Sequence, residues 1–179
     1  MSIAAPSPAT GIDTVGVPEP VLERLDELGR LIAATFESPA DAPRAPANDC
    51  WLVALDGSAH SMQALAAAQR LAIDRGVQSI ELVNVQPWMS KEAAQLDLGQ
   101  RGWASTAPAR AWLDARGFSW RLHVLMGEPA ERIAEQAQSL SSLGIAMGAR
   151  GLSSTEDLLL GSVVQQVLHR THGAVLVVR

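Results

Sequence analysis

The chain has 179 residues, enough for one compact domain with an extension, and is 47% hydrophobic and 18% charged, a balance that excludes wholesale disorder. Fourteen basic against nineteen acidic residues give a formal charge of -5; with Lys91 the sole lysine and the arginines scattered, no basic patch suits nucleic acid or an anionic membrane. A single cysteine, Cys50, cannot form an internal disulfide, the N-terminal residues lack a secretory pattern, and no run of about 18 apolar residues could span a bilayer, so a cytoplasmic protein with no membrane span is expected.

Seven of the ten prolines fall in residues 1–46. Residues 1–20 read as a tail. Val21, Leu25, Leu28 and Ile32 then recur at helical spacing, and Asp26 and Arg30 stand one turn apart, so a short amphipathic helix is expected over 21–36. Such a helix is marginal alone and must dock on the main domain, dock on a protein partner, or fray. Residues 38–48, SPADAPRAPAN, read as a semi-rigid linker. The expected division is a tail, helix and linker in 1–48 and the main domain in 49–179.

From residue 51 the chain alternates. Trp51–Leu55 is an apolar run closed by Asp56-Gly57-Ser58, and a helix follows with Met62, Leu65, Ala68 and Ala72 on one face. Ser79–Val85 predicts a second strand. Residues 86–118 predict one helix, Ala107–Arg116, after an irregular stretch interrupted by Gly99 and Gly102. Trp120–Leu125 is a third strand, and Pro129 opens a third helix at a tolerated first-turn position. Ile145–Met147 and Ala174–Val178 complete the strands, with a helix over Ser162–Thr171 between them. Apolar strands alternating with helices predict an α/β fold, a parallel sheet with helices on both faces.

In such sheets ligands bind beyond the carboxyl ends of the strands. Asp56, Gly57 and Ser58 follow the first strand. Gly148-Ala-Arg-Gly151 follows the fourth, and after nine more residues comes Gly161-Ser162 at a helix start. Glycines there permit close backbone approach and positive φ. A helix N-terminus offers unpaired N–H groups to an anion, Ser162 can cap that helix or bond a phosphate oxygen, and Arg150 can neutralise phosphate charge. The arrangement asks for a phosphate, yet it is neither a Walker loop nor G-x-G-x-x-G after a first strand.

Leu52-Val-Ala-Leu-Asp-Gly-Ser58 with Ser61, Val124-Leu-Met-Gly-Glu-Pro-Ala130, Met147-Gly-Ala-Arg-Gly151 with Leu159-Leu-Gly-Ser-Val163, and Val175–Val178 together resemble the universal stress protein family, in its ATP-binding subgroup. The resemblance covers about residues 50–179. It implies an open five-stranded parallel sheet of order 3-2-1-4-5 and a homodimer through the last strand, Ala174–Val178. It further implies ATP, with Mg²⁺, held by Asp56, Val85, Gly148, Gly151, Gly161, Ser162 and Val163, with Met147 flanking the pocket. The sequence departs from the family at Ser142-Leu143, at Asn84 beside Val85, and at Ala174, where proline is usual.

Phosphoryl transfer needs positioned cations and a group to orient the nucleophile, and no second catalytic group is evident. An ATP-binding regulatory module is therefore expected rather than a fast ATPase. The alternatives are a slow ATPase or nucleotidyl-transferring enzyme, or an interaction protein with a vestigial nucleotide site. His169 and His172 at H-x-x-H spacing weakly suggest a metal. His60 reads as a solvated helix-start histidine, His123 as a surface or satisfied core residue, and Trp88 and Trp103 as a lid or as packing.

Overall fold

In the computed structural model, residues 16–39, 44–151 and 160–179 are described. The expected 1–20 tail lies for the most part outside them. The stretch expected as one helix is instead a hairpin: β1 (Leu22–Leu25) and β2 (Leu31–Glu37) pair antiparallel. The reversal is encoded between them. Asp26 Oδ1 accepts the backbone N–H groups of Leu28 and Arg30 at 3.0 and 2.9 Å, a local Asx turn, and Gly29 takes φ +70°. A right-handed helix cannot run through that left-handed residue. The Asp26–Arg30 ion pair does form, at 3.0 Å, but it closes the turn. Val21, Leu25 and Leu28, which mimicked a helical stripe, are exposed.

The remaining strands are β3 (Trp51–Ala54), β4 (Ser79–Gln86), β5 (Ser119–Met126), β6 (Gly144–Gly148) and β7 (Ala174–Val178); the helices are α1 (Ala59–Asp74), α2 (Lys91–Ser105), α3 (Ala107–Asp114), α4 (Pro129–Leu140) and α5 (Ser162–Arg170). The sheet runs β1-β2-β5-β4-β3-β6-β7. Its five strands from β3 onward are parallel and keep the order expected for them. The expected five-stranded parallel sheet is nonetheless corrected: the sheet is mixed and has seven strands, because β2 pairs antiparallel with β5, Thr35 opposite His123. An unpaired β5 edge would leave backbone groups bare; β2 satisfies them.

Two cores flank the sheet. On one face, Val53, Leu82 and Leu122 of the strands pack with Leu65 of α1, Leu98 of α2 and Leu113 of α3. On the other, Leu52, Val83 and Ile145 pack with Ile133 of α4 and Val167 of α5. The first core includes Leu31, Ala34 and Phe36 of β2, so residues ahead of position 49 contribute to it. α2 occupies part of the stretch expected to be irregular. Ser90 caps it, accepting the Ala93 N–H at 3.2 Å. Its glycines mark close approach rather than a break: a Cβ at Gly102 would overlap the Val124 methyls, and one at Gly99 would stand 3.2 Å from the Phe36 ring. The expected linker is described in part, and there it is anchored: the Ala45 N–H donates to Ser79 Oγ at 3.0 Å.

Candidate functional site

The turn after β3 is built by its own side chains. Gly57 takes φ +86°, which only glycine adopts without strain. The Ser58 N–H donates to Asp56 Oδ1 at 2.9 Å, and Ser58 Oγ caps α1 by accepting the Ser61 N–H at 3.2 Å. From the neighbouring strand, Asn84 Nδ2 donates to the Leu55 carbonyl at 2.8 Å and Gln86 Nε2 to Asn84 Oδ1 at 2.7 Å. Asn84 therefore fixes the residue immediately before Asp56.

Beyond the carboxyl ends of β3, β4 and β6 opens a cleft of about 360 Å³. Every site residue expected from the sequence lines it: Asp56 after β3, Val85 on β4, Met147 and Gly148 at the end of β6, Arg150 and Gly151 beyond it, and Gly161, Ser162 and Val163 at the start of α5. The fold brings together residues that span more than half the chain. Sequence reasoning missed Ala54, Val83, Pro129, Ile133 and Val164, and did not place Ser61 in the site. Two of these carried a readable signal. Val83 lies two residues before Val85, hence on the same face of β4, and Ile133 lies one turn beyond Pro129 on α4.

The three loop glycines serve different ends, and none of them takes positive φ, so that part of the expectation is corrected. A Cβ at Gly148 would stand 2.7 Å from the His60 carbonyl carbon and 2.9 Å from the Ser61 nitrogen; this glycine lets β6 end against the first turn of α1. A Cβ at Gly151 would stand 2.8 Å from Asp56 Oδ2, so the carboxylate packs against the loop backbone. At Gly161 the nearest atom, the Ala149 carbonyl oxygen, would be 3.4 Å away. A methyl group fits there.

Gly161, not Ser162, is the N-cap of α5, and no side chain caps that helix; Ser162 is the exposed first helical residue. Gly161 is tied back to β6 by its N–H, which donates to the Ala149 carbonyl at 2.8 Å. The first N–H groups of α5 thus point from a fixed turn toward the cleft end of the sheet, a ready anion site with partial positive charge. Among the described residues, the Asp56 carboxylate and the Arg150 guanidinium line the same cleft. Residues 152–159 lie outside the described residues, as does Leu159 of the motif.

Other candidates resolve differently. Trp103 packs on Phe36 and Trp120 with the Arg110 guanidinium 3.3 Å from its ring centroid, and Trp88 lies beside Arg30; neither lines the cleft. Burial pulls the Arg110 pKa down to about 10, against the raising effect of Asp114. His123 is buried and bonded to Glu81. Among the described residues no three His, Cys, Asp or Glu side chains cluster as a metal would need, and no helix is long and apolar enough to cross a membrane. A larger cavity, about 610 Å³, is lined by Gly144, Gly173 and Ala174 at the amino ends of β6 and β7, the end of the strands where this sheet class does not place ligands.

A parallel α/β core with a glycine-walled cleft at its strand ends defines a domain of the doubly wound α/β class. Comparison with known proteins narrows this. Residues 51–179 match the model of the universal stress protein family, and the chain belongs to that family. It is 30% identical over 136 residues to a universal stress protein of Methanocaldococcus jannaschii, covering 72% of this chain and 80% of that one. Among solved structures, it is similar to a universal stress protein in complex with cAMP (TM-score 0.58, 24% identity, 73% of this chain and 97% of that one). It is also similar to the universal stress protein from Archaeoglobus fulgidus in complex with dAMP (TM-score 0.58, 20% identity, 73% and 98%).

Proposed function

We propose that this chain is an ATP-binding regulatory module of the stress response that turns nucleotide over slowly or not at all. The observation that carries the reading is the convergence of Asp56, Val85, Met147, Arg150, Gly151 and the uncapped start of α5 on one cleft. The apolar wall from Val83, Val85, Ile133 and Met147 suits an adenine ring, and the α5 N–H groups with Arg150 suit phosphates. Mg²⁺ would arrive with the triphosphate, whose oxygens are its main ligands; among the described residues of the cleft wall, Asp56 is the carboxylate that could add to them. Two solved proteins of this fold are complexes with cAMP and with dAMP, which supports an adenine ligand. The absence of a base aimed at an attacking water among the described cleft residues favours binding over hydrolysis. The work would be done by a homodimer in the cytoplasm.

Calorimetry of wild type and Gly161→Val against ATP, AMP and a non-nucleotide control tests this. The branched side chain should intrude on the phosphate position and weaken ATP binding at least about tenfold, equivalent to about 1.4 kcal/mol. Equal affinity in both proteins, or no binding by stripped wild type, overturns the nucleotide reading.

A further inference from the structure

The two added strands create a second cavity, about 530 Å³, on the flank of α4 away from the nucleotide cleft. Leu140, Gln136 and Ser139 of α4 form one wall and Leu22 and Arg24 of β1 another, while its floor is the β2–β5 ladder. In that floor a hydroxyl and an imidazole stand in line, with a carboxylate of the adjoining strand β4 behind them. Thr35 is opposite His123 in the ladder, with its Oγ1 3.4 Å from His123 Nδ1. His123 Nε2 lies 2.8 Å from Glu81 Oε2 on β4. The His123 and Glu81 side chains are 8% and 5% exposed.

A carboxylate only accepts hydrogen bonds, so Glu81 selects the tautomer with the proton on Nε2 and leaves the Nδ1 lone pair for the Thr35 hydroxyl. That is the order of nucleophile, base and orienting acid needed to activate an alcohol; a separation of 3.4 Å is within the range that closes on substrate. Arg24, Arg121 and Glu37 line the same cavity; Arg121 is paired with Glu37 at 3.0 Å and lies 3.5 Å from Glu81, and Arg24 brings positive charge for an oxyanion. Ala33, Leu125 and Leu140 offer an apolar bed for an acyl group.

We propose that this cavity is an acyl-transfer site for small apolar carboxylic esters, with Thr35 as nucleophile, His123 as general base and Glu81 as the residue that positions His123. Thr35 Oγ1 bonds to the ester carbonyl carbon as its proton passes to His123 Nδ1. The bond to the leaving alcohol breaks, and Nδ1 returns the proton to the departing oxygen. A water, deprotonated by the same nitrogen, then cleaves the Thr35 ester, releasing the acid and restoring the hydroxyl. The site is independent of the nucleotide cleft.

The full chain is assayed with p-nitrophenyl acetate and butyrate, and labelled with a fluorophosphonate probe read by intact and peptide mass spectrometry. Wild type should turn over and take one adduct at Thr35. Thr35→Val, which keeps the shape and removes the hydroxyl, should lose the adduct and fall about a hundredfold in rate. Thr35→Ser should keep both. Glu81→Gln should lower kcat more than KM and displace the pH profile, which a purely structural role would not do in a folded variant. No adduct at residue 35, or equal rates in wild type and folded Thr35→Val, overturns the proposal. If Thr35→Val does not fold, the adduct on wild type and on Thr35→Ser decides.

Discussion

The Phe36 ring lies 5.2 Å from the Trp103 ring, centroid to centroid, at an interplanar angle of 55°. This contact joins β2 to α2 and makes the N-terminal hairpin part of the first core. Trp103 in turn meets Trp120 at 6.0 Å, so a segment outside the family match is built into the same aromatic cluster as the family's own strands.

Removing the Phe36 ring should therefore be costly. Phe36 is 2% exposed, and Phe36→Ala is expected to lower stability by about 3–5 kcal/mol, measured by urea unfolding followed through tryptophan fluorescence. Deleting residues 1–46 should do worse, because it also bares the β5 edge. A truncated chain that melts like the full one would show that the hairpin contributes nothing.

Gly148 and Gly161 should separate packing from binding. Gly148→Ala drives a Cβ into the first turn of α1, and overpacking of this kind costs about 1–3 kcal/mol; because Ser61 lines the cleft, nucleotide affinity should fall with it. Gly161→Ala meets nothing closer than 3.4 Å and should melt as wild type does. Paired thermal melts and calorimetry read both effects.

Acid should act through Glu37. Burial pushes its carboxyl pKa up, but hydrogen bonds and ion pairs from Arg44 and Arg121 outweigh that and hold it below its ordinary 4.5. A depressed folded pKa means stability that is present above the unfolded value and lost as pH falls through the folded one. Glu37→Gln should accordingly be less stable than wild type near neutrality and converge with it in strong acid. Denaturation midpoints at a series of pH values check this; a constant gap across the series would contradict it.

Assembly should depend on β7. Its five residues, Ala174–Val178, carry no charge and, among the described residues, pair on one side only, with β6, whereas the opposite edge strand, β1, holds Glu23 and Arg24, charges that discourage edge pairing. A homodimer through β7 is expected, and Val177→Lys should yield a monomer with its fold intact. Light scattering with circular dichroism measures both; a monomeric wild type at micromolar concentration would contradict it.

The sequence by itself determined the parallel core and the candidate cleft. Strands such as Trp51–Leu55 are apolar on both faces, and glycines sit beside strand ends, so local composition carries that information without knowledge of neighbours. Asp56, Gly148 and Gly161 could be named because the chain order of a doubly wound sheet dictates which loops share an end, whereas Val85 was named through the family resemblance. The hairpin was not legible in the same way. Val21, Leu25, Leu28 and Ile32 satisfy helical spacing, and only the availability of the β5 edge, together with the turn at Asp26 and Gly29, turns that segment into strands. The same holds for Gly99 and Gly102, whose meaning is the distance to Phe36 and Val124. Thr35, His123 and Glu81 meet only because three strands distant in sequence lie side by side, and pairing between distant strands is decided by tertiary packing, which local residue preferences do not encode.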